Sequence, residues 1–228
     1  MNRTPFKVFF LEGIKIIKHD WLILAPCIIL TVLELSILKL NTQLNEWVFW
    51  VLELLFASLT VTLLGSYFLT GALNIKYSCK WLYSKLGPLL LNCALIYWPI
   101  IKIKDTFMDQ ETLQEYATKM PEKTILLIAA SLPLLIINHF LPIAILLKSE
   151  KLVSILPNLL RLLWKIKGRI FYFCSWLILF MMSLFWLLIP ISAVPAPLNI
   201  IIISIVLGSA KAMVSILSVL FYRKQTET

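Results

Sequence analysis

The sequence predicts an all-α, polytopic membrane protein, and three observations support this fold class. Apolar residues make up 60% of the 228 residues and charged residues 14%, against about 45–50% and about 25% in soluble domains. The apolar residues lie in long runs, and the mean hydropathy is +0.89. A soluble domain has no interior that would bury this much apolar surface. Residues 1–228 are therefore predicted to form a single integral membrane domain.

Six apolar runs are predicted to cross the membrane as helices. A spanning helix needs about 20 mostly apolar residues, and all the runs except the third meet this length. The third run is shorter and contains Pro88 and Pro99. The predicted spans are residues 21–40, 47–73, 86–101, 124–147, 171–191 and 198–221.

Lys and Arg are distributed unevenly between the two sides of these spans. If all the runs cross, 15 of the 21 Lys and Arg lie on the side that holds both termini, and 5 lie on the other side. Basic residues accumulate on the cytoplasmic side of membrane proteins, so both termini are predicted to be cytoplasmic. If the run at 86–101 did not span, the basic cluster at 148–169 would have to be translocated.

Three stretches that precede spans are predicted to be amphipathic helices in the headgroup plane. They begin at Phe6, Leu73 and Leu152, and in each of them apolar residues recur at helical spacing beside Lys and Arg. Either a unit of one amphipathic helix and two spans occurs three times, or basic linkers simply precede outward-going helices. The predicted contacts to anionic lipid are Lys15, Lys18, Lys76, Lys80, Lys85, Arg161, Lys165, Lys167 and Arg169.

The net charge of +9 follows from this orientation and from attraction to anionic headgroups. No basic stripe is interleaved with aromatic residues on a polar surface, so no nucleic-acid partner is predicted. Membrane lipids are the predicted partners, joined by a membrane protein if the chain is a subunit of a larger assembly.

Two carboxylates are predicted to lie within spans at matching depth. Glu34 precedes the outer end of the first span and Glu53 follows the outer start of the second, each by about six residues or roughly 9 Å. Charged groups are costly inside a membrane and are often functional there. Either the two carboxylates share a proton or a cation, or both face the wetter interface or bond to Ser and Thr neighbours.

Lys211 and His139 are predicted to lie deeper, in the inner half of the bilayer. About 11 residues, or roughly 16 Å, separate Lys211 from the cytoplasmic end of its span, which is too far for comfortable snorkelling. Lys211 is therefore predicted to face the helix bundle and to pair with a carboxylate or a helix carbonyl, in a transport or a structural role. Just before it, Gly208-Ser209-Ala210 favours close helix packing. His139 is predicted to make a polar contact.

The sequence carries no signature of a soluble-type enzyme or a metal site. It has no P-loop, no GxSxG and no HExxH motif, and its Cys and His residues do not stand at metal-ligand spacing. No catalytic residue, metal or cofactor is predicted.

The second half of the chain carries a recognisable series of landmarks. The run from Pro133 to Lys148 leads into a basic stretch that ends at Trp164-Lys165, and the last span ends in Tyr222-Arg223. This pattern resembles the YciC-like family of bacterial inner-membrane proteins, from which the chain departs by lacking a glycine after Pro133. The resemblance implies six helices and a bacterial inner-membrane location. It carries over no catalytic residue.

The predicted function is non-enzymatic. The protein is expected to act in envelope or lipid organisation, or as a membrane subunit of a larger assembly, held to anionic lipid by its basic linkers. The main alternative is a small-solute or lipid transporter that uses Glu34, Glu53, His139 and Lys211 along a path. An intramembrane enzyme is a distant third possibility.

Overall fold

A computed structural model describes residues 5–39, 46–107, 121–147, 152–188 and 198–227. Within these ranges the protein is all helical, which confirms the predicted all-α class. A short 3-10 turn, Trp21–Leu24, joins the first two helices. In chain order the helices are α1 Phe6–His19, α2 Ala25–Lys39, α3 Glu46–Thr70, α4 Ile75–Phe107, α5 Pro121–Leu147, α6 Leu152–Lys165, α7 Lys167–Leu188 and α8 Leu198–Thr226.

Among the described residues, three helical segments are long and apolar enough to cross a membrane. They are Val48–Thr70 in α3, Lys167–Leu184 in α7, and all of α8. A fourth crossing results if α1 and Trp21–Ile37, which meet at 111°, form one broken span. Leu132–Leu147 in α5 is apolar but shorter. These helices are compatible with a membrane protein, and the number of six spans stays a prediction.

The helices group into two compact units. The first combines Met1–Ser84 with Leu162–Thr228, and the second is Lys85–Arg161. The first unit therefore contains α1, α2, α3, α7 and α8, and the second contains α5. The single membrane domain predicted from the sequence stays a prediction.

Helix α1 is amphipathic, as predicted, and its apolar side is covered by protein. Phe9, Gly13 and Ile16 are buried and recur at helical spacing. The Phe9 ring lies 5.9 Å from the Phe221 ring of α8. A Cβ on Gly13 would lie 3.2 Å from the sulfur of Met213, also on α8. Helix α1 is thus docked on α8, a contact that the prediction of a helix in the headgroup plane did not include.

Helix α4 combines two elements that the sequence had separated. An amphipathic helix followed by a span at 86–101 was predicted, whereas Ile75–Phe107 is one helix of 33 residues. The separation is wrong because Pro88 and Pro99 do not end the helix; a proline removes one backbone hydrogen bond, which membrane helices tolerate. The second predicted unit therefore has one continuous helix where the third has two, because α6 and α7 are separated at Ile166.

The end of α3 is set by a glycine. The second span was predicted to reach residue 73, but α3 ends at Thr70 and Gly71 follows with φ of 75°. This left-handed conformation is typical of the residue after a helix, and glycine adopts it without a side-chain clash. Asn74 then accepts a hydrogen bond from the Tyr77 backbone N–H at 2.9 Å and caps the start of α4.

Candidate functional site

Lys211 of α8 lies between the two carboxylates that the sequence singled out. Its Nζ donates a hydrogen bond to Glu34 Oε2 of α2 at 2.7 Å. The same Nζ lies 3.9 Å from Glu53 Oε1 of α3. We call Glu34, Glu53 and Lys211 the ion triad. The sequence predicted that Lys211 pairs with a carboxylate or a carbonyl, and in the structure the carboxylate of Glu34 holds that position.

Gly208 allows α2 and α8 to approach at the level of their backbones. A Cβ built on Gly208 would lie 2.5 Å from Ile28 Cα and 2.9 Å from the Cys27 carbonyl oxygen. Carbon atoms do not approach so closely, so only glycine fits at this position. The small-residue stretch that predicted close packing is thus the place where α8 touches α2, one turn before Lys211.

The relative directions of α2, α3 and α8 follow from the contacts along α3. Cys27 Sγ of α2 lies 3.5 Å from Thr60 Oγ1 of α3. At the ion triad, Glu34 comes later in α2 than Cys27, whereas Glu53 comes earlier in α3 than Thr60. Helices α2 and α3 are therefore antiparallel. Phe68 of α3 lies under the Arg223 guanidinium of α8 at 4.5 Å. Helix α3 therefore runs parallel to α8, and α2 runs antiparallel to α8.

Side-chain direction explains how two residues at different depths come into contact. The sequence placed Glu34 nearer the outer surface than Lys211 by roughly 10 Å. Helical side chains lean toward the N-terminus of their own helix. Because α2 and α8 are antiparallel, the Glu34 and Lys211 side chains lean toward each other and close this gap.

The members of the ion triad are unequally covered. The side chains of Lys211 and Glu34 are 28% and 22% exposed, whereas that of Glu53 is 59% exposed. Two carboxylates face one ammonium group, so the triad carries one excess negative charge when all three groups are ionised. Glu53 is the loosely held member, because it is both more distant from Lys211 and more exposed.

His139 lies on α5, in the other compact unit. Its ring lies 5.3 Å from the ring of the adjacent Phe140. A common path that joins His139 to the ion triad stays a prediction. Across the described part of the chain, no group of three or more His, Cys, Asp or Glu is arranged to hold a metal ion.

Basic side chains gather at one end of the first unit, which we call the basic end. Arg169 of α7 donates a hydrogen bond to Gln225 of α8 at 2.8 Å, which brings the start of α7 to the end of α8. Lys167, near Arg169, lies 4.6 Å above the ring of Trp164. The basic end consists of Lys167, Arg169, Arg223 and Lys224.

Arg223 and Lys224 were not among the lipid contacts predicted from the sequence. Only basic residues of linkers were considered there, although cations in the last turn of a long apolar helix carry the same signal. Of the predicted contacts, Lys85 and Arg169 are half-buried. The others are exposed, namely Lys15, Lys18, Lys76, Lys80, Arg161, Lys165 and Lys167.

No protein-family model, curated protein sequence or solved structure matches the chain. The resemblance to the YciC-like family therefore stays a prediction.

Proposed function

We propose that the protein is a non-enzymatic, six-span protein of the bacterial inner membrane that binds and organises anionic lipid. The observation that carries this proposal is the basic end, where Lys167 of α7 lies above the ring of Trp164, which is 75% exposed, and Arg169 of α7 is bonded to the end of α8. Exposed Trp next to Lys and Arg is typical of residues at headgroup level. Each such cation near an anionic membrane surface contributes about 1 kcal/mol.

The placement of the charges along α8 supports a cytoplasmic basic end. Lys211 and Arg223 are separated by 12 residues of one helix, which correspond to roughly 18 Å. The basic end thus occupies one terminus of the helix bundle, and the ion triad lies well away from it. This arrangement agrees with both termini in the cytoplasm and with the positive-inside rule.

Lipid retention by the purified full-length protein tests this proposal. We would replace Lys167, Arg223 and Lys224 of the basic end with Gln and measure by native mass spectrometry how much phosphatidylglycerol stays bound. At about 1 kcal/mol for each cation, the affinity is expected to fall by up to about 100-fold.

A matched control carries the same loss of charge on the predicted outer side, by replacing Lys102, Lys104 and Lys123 with Gln. It should retain as much lipid as the wild type. Equal retention by both triple variants contradicts the proposal. A protein that copurifies in fixed stoichiometry, with no bound lipid, would instead make the chain a subunit of an assembly.

A carrier for a small solute or a lipid is a second candidate, which the ion triad favours. Charged side chains within membrane helices commonly mark transport pathways. Movement of a fluorescent phosphatidylglycerol across reconstituted vesicles tests the lipid form of this candidate. The Lys211→Met and Glu53→Gln variants should abolish the movement; movement unchanged in both would make the triad structural.

A further inference from the structure

We propose that the ion triad is a proton-binding site, in which Glu53 takes up and releases one proton while Lys211 and Glu34 stay paired. Proton exchange at this site would give the carrier candidate a driving ion. The binding of the proton does not depend on the carrier candidate; only the use of the proton to drive transport does. Lipid binding at the basic end is independent of it, so the two ideas fail separately.

The charge balance of the triad requires one more positive charge. Two carboxylates and one ammonium leave a charge of −1, and an uncompensated charge inside a membrane helix bundle is strongly unfavourable. Glu34 holds Lys211 at 2.7 Å. Glu53 lies 3.9 Å from the same ammonium and is 59% exposed. The proton is therefore assigned to Glu53.

A buried hydroxyl lies on the same face of α8 as Lys211. Ser204, Gly208 and Lys211 follow one another at the spacing of a single helix face, and the contact of Gly208 with Ile28 shows that this face is turned to α2. Ser204 is fully buried. Its Oγ has no hydrogen-bond partner among the described residues.

The register of the two helices puts Ser204 within one helical turn of the level of Glu34. One turn back from Gly208 on α8 corresponds to one turn forward from Ile28 on antiparallel α2, in the turn that leads to Glu34. A buried hydroxyl without a partner is unfavourable. It can both donate and accept a hydrogen bond, and none of the triad's atoms is its partner in this structure.

The chemistry of the site favours a proton over a metal cation. A metal ion that contacted both carboxylates would lie within a few ångströms of the Lys211 ammonium, and two positive charges at that distance repel strongly in a medium of low dielectric constant. A proton becomes part of the carboxyl group of Glu53. It therefore removes the excess charge without placing a second cation beside Lys211.

The groups that influence Glu53 can be named from the helices packed on α3. Helix α2 contributes Glu34 and the Cys27 thiol, which lies within electrostatic reach of all three triad charges. Helix α8 contributes Lys211. The 3-10 turn Trp21–Leu24 carries no titratable side chain.

Infrared difference spectroscopy on the full chain in phosphatidylcholine vesicles tests the assignment with the proton itself as the probe. As the pH falls, the wild type should gain a band from the protonated carboxyl group of Glu53 beside the bands of its exposed carboxyl groups. Glu53→Gln should remove this band, whereas Glu12→Gln, on the exposed side of α1, should leave it unchanged. A band that survives in Glu53→Gln, or no band beyond those of the exposed carboxyl groups in the wild type, overturns the proposal.

A second variant guards against misfolding of the first. In Lys211→Arg the charges of the triad are kept, so the band should persist, and adding Glu53→Gln to this variant should remove it. A band that survives when Glu53→Gln is added to Lys211→Arg contradicts the assignment to Glu53. Exchange of choline for sodium at fixed pH should change nothing; loss of the band in sodium would assign the site to an alkali cation instead.

Discussion

A double-mutant cycle on Lys211 and Glu34 measures whether the shortest contact of the ion triad holds α2 and α8 together. The cycle compares Lys211→Met, Glu34→Gln and the double variant with the wild type. Each single variant leaves one charge without its partner, and the double variant removes both charges. The difference between the double variant and the sum of the single variants is the coupling free energy.

The structure sets the expected size of this coupling. Removal of one partner from a fully buried ion pair destabilises a protein by about 3–5 kcal/mol, and exposed pairs are worth less than about 1 kcal/mol. Lys211 and Glu34 are 28% and 22% exposed, with a 2.7 Å contact, so their coupling should lie between these limits, at about 2 kcal/mol. For Lys211 and Glu53, at 3.9 Å and with Glu53 59% exposed, we expect less than about 1 kcal/mol.

Unfolding of the purified chain in mixed micelles, followed by circular dichroism as denaturing detergent is added, supplies the four free energies. The double variant should be close to the wild type in stability, and Lys211→Met alone should be clearly less stable. Additive effects of the two single substitutions would show that the pair is absent in the folded protein. A larger coupling of Lys211 to Glu53 than to Glu34 would refute the proposal that Glu34 is the stronger partner.

Four further predictions follow from packing and accessibility. Gly208→Ala should destabilise the protein by about 1–3 kcal/mol, because its Cβ strikes the backbone of α2. Gly87→Ala, with no atom within 4 Å of the new Cβ, should instead raise the stability of α4 by about 0.5–1 kcal/mol in the same unfolding assay. Phe9→Ala should cost about 3–5 kcal/mol, since this side chain is 4% exposed within the aromatic contacts that dock α1. A membrane-impermeant maleimide should label exposed Cys79 in inverted vesicles but not in intact spheroplasts, and buried Cys27 should resist labelling in both, as mass spectrometry of peptides would show.

The members of the ion triad could be predicted from the sequence, but their contact could not. Ionisable residues are easily recognised within apolar runs. Counting residues from the predicted outer ends placed Glu34 and Glu53 at one depth. Counting also placed Lys211 deeper, which separated it from its partner. The contact depends on which helices are neighbours and on the direction of their side chains, and neither follows from the spacing of residues within one helix. Gly208 was the nearest signal, since a small residue predicts close packing without naming the helix that approaches.

The helix boundaries show a similar division. Apolar periodicity located α1 and α6 well, because amphipathic patterns are local. The continuity of α4 was missed, since the sequence was divided into a basic amphipathic stretch and a short apolar run, and one helix contains both. The docking of α1 on α8 was also missed, because an apolar helix face has the same sequence pattern whether lipid or protein covers it.

The close approach at Gly208 bears on whether the ion triad serves only to hold the helices together. Helices α2 and α8 already meet at backbone distance through Gly208, and membrane helices packed through small residues need no charge between them. A structural lock would also need only one carboxylate, whereas Glu53 adds a charge that the membrane disfavours. The Lys211→Met/Glu34→Gln double variant separates these roles, because it restores stability while it leaves Glu53 without an ammonium beside it. If the triad binds a proton, the infrared band of the protonated carboxyl group should remain in that variant and disappear when Glu53→Gln is added, although the fold is intact.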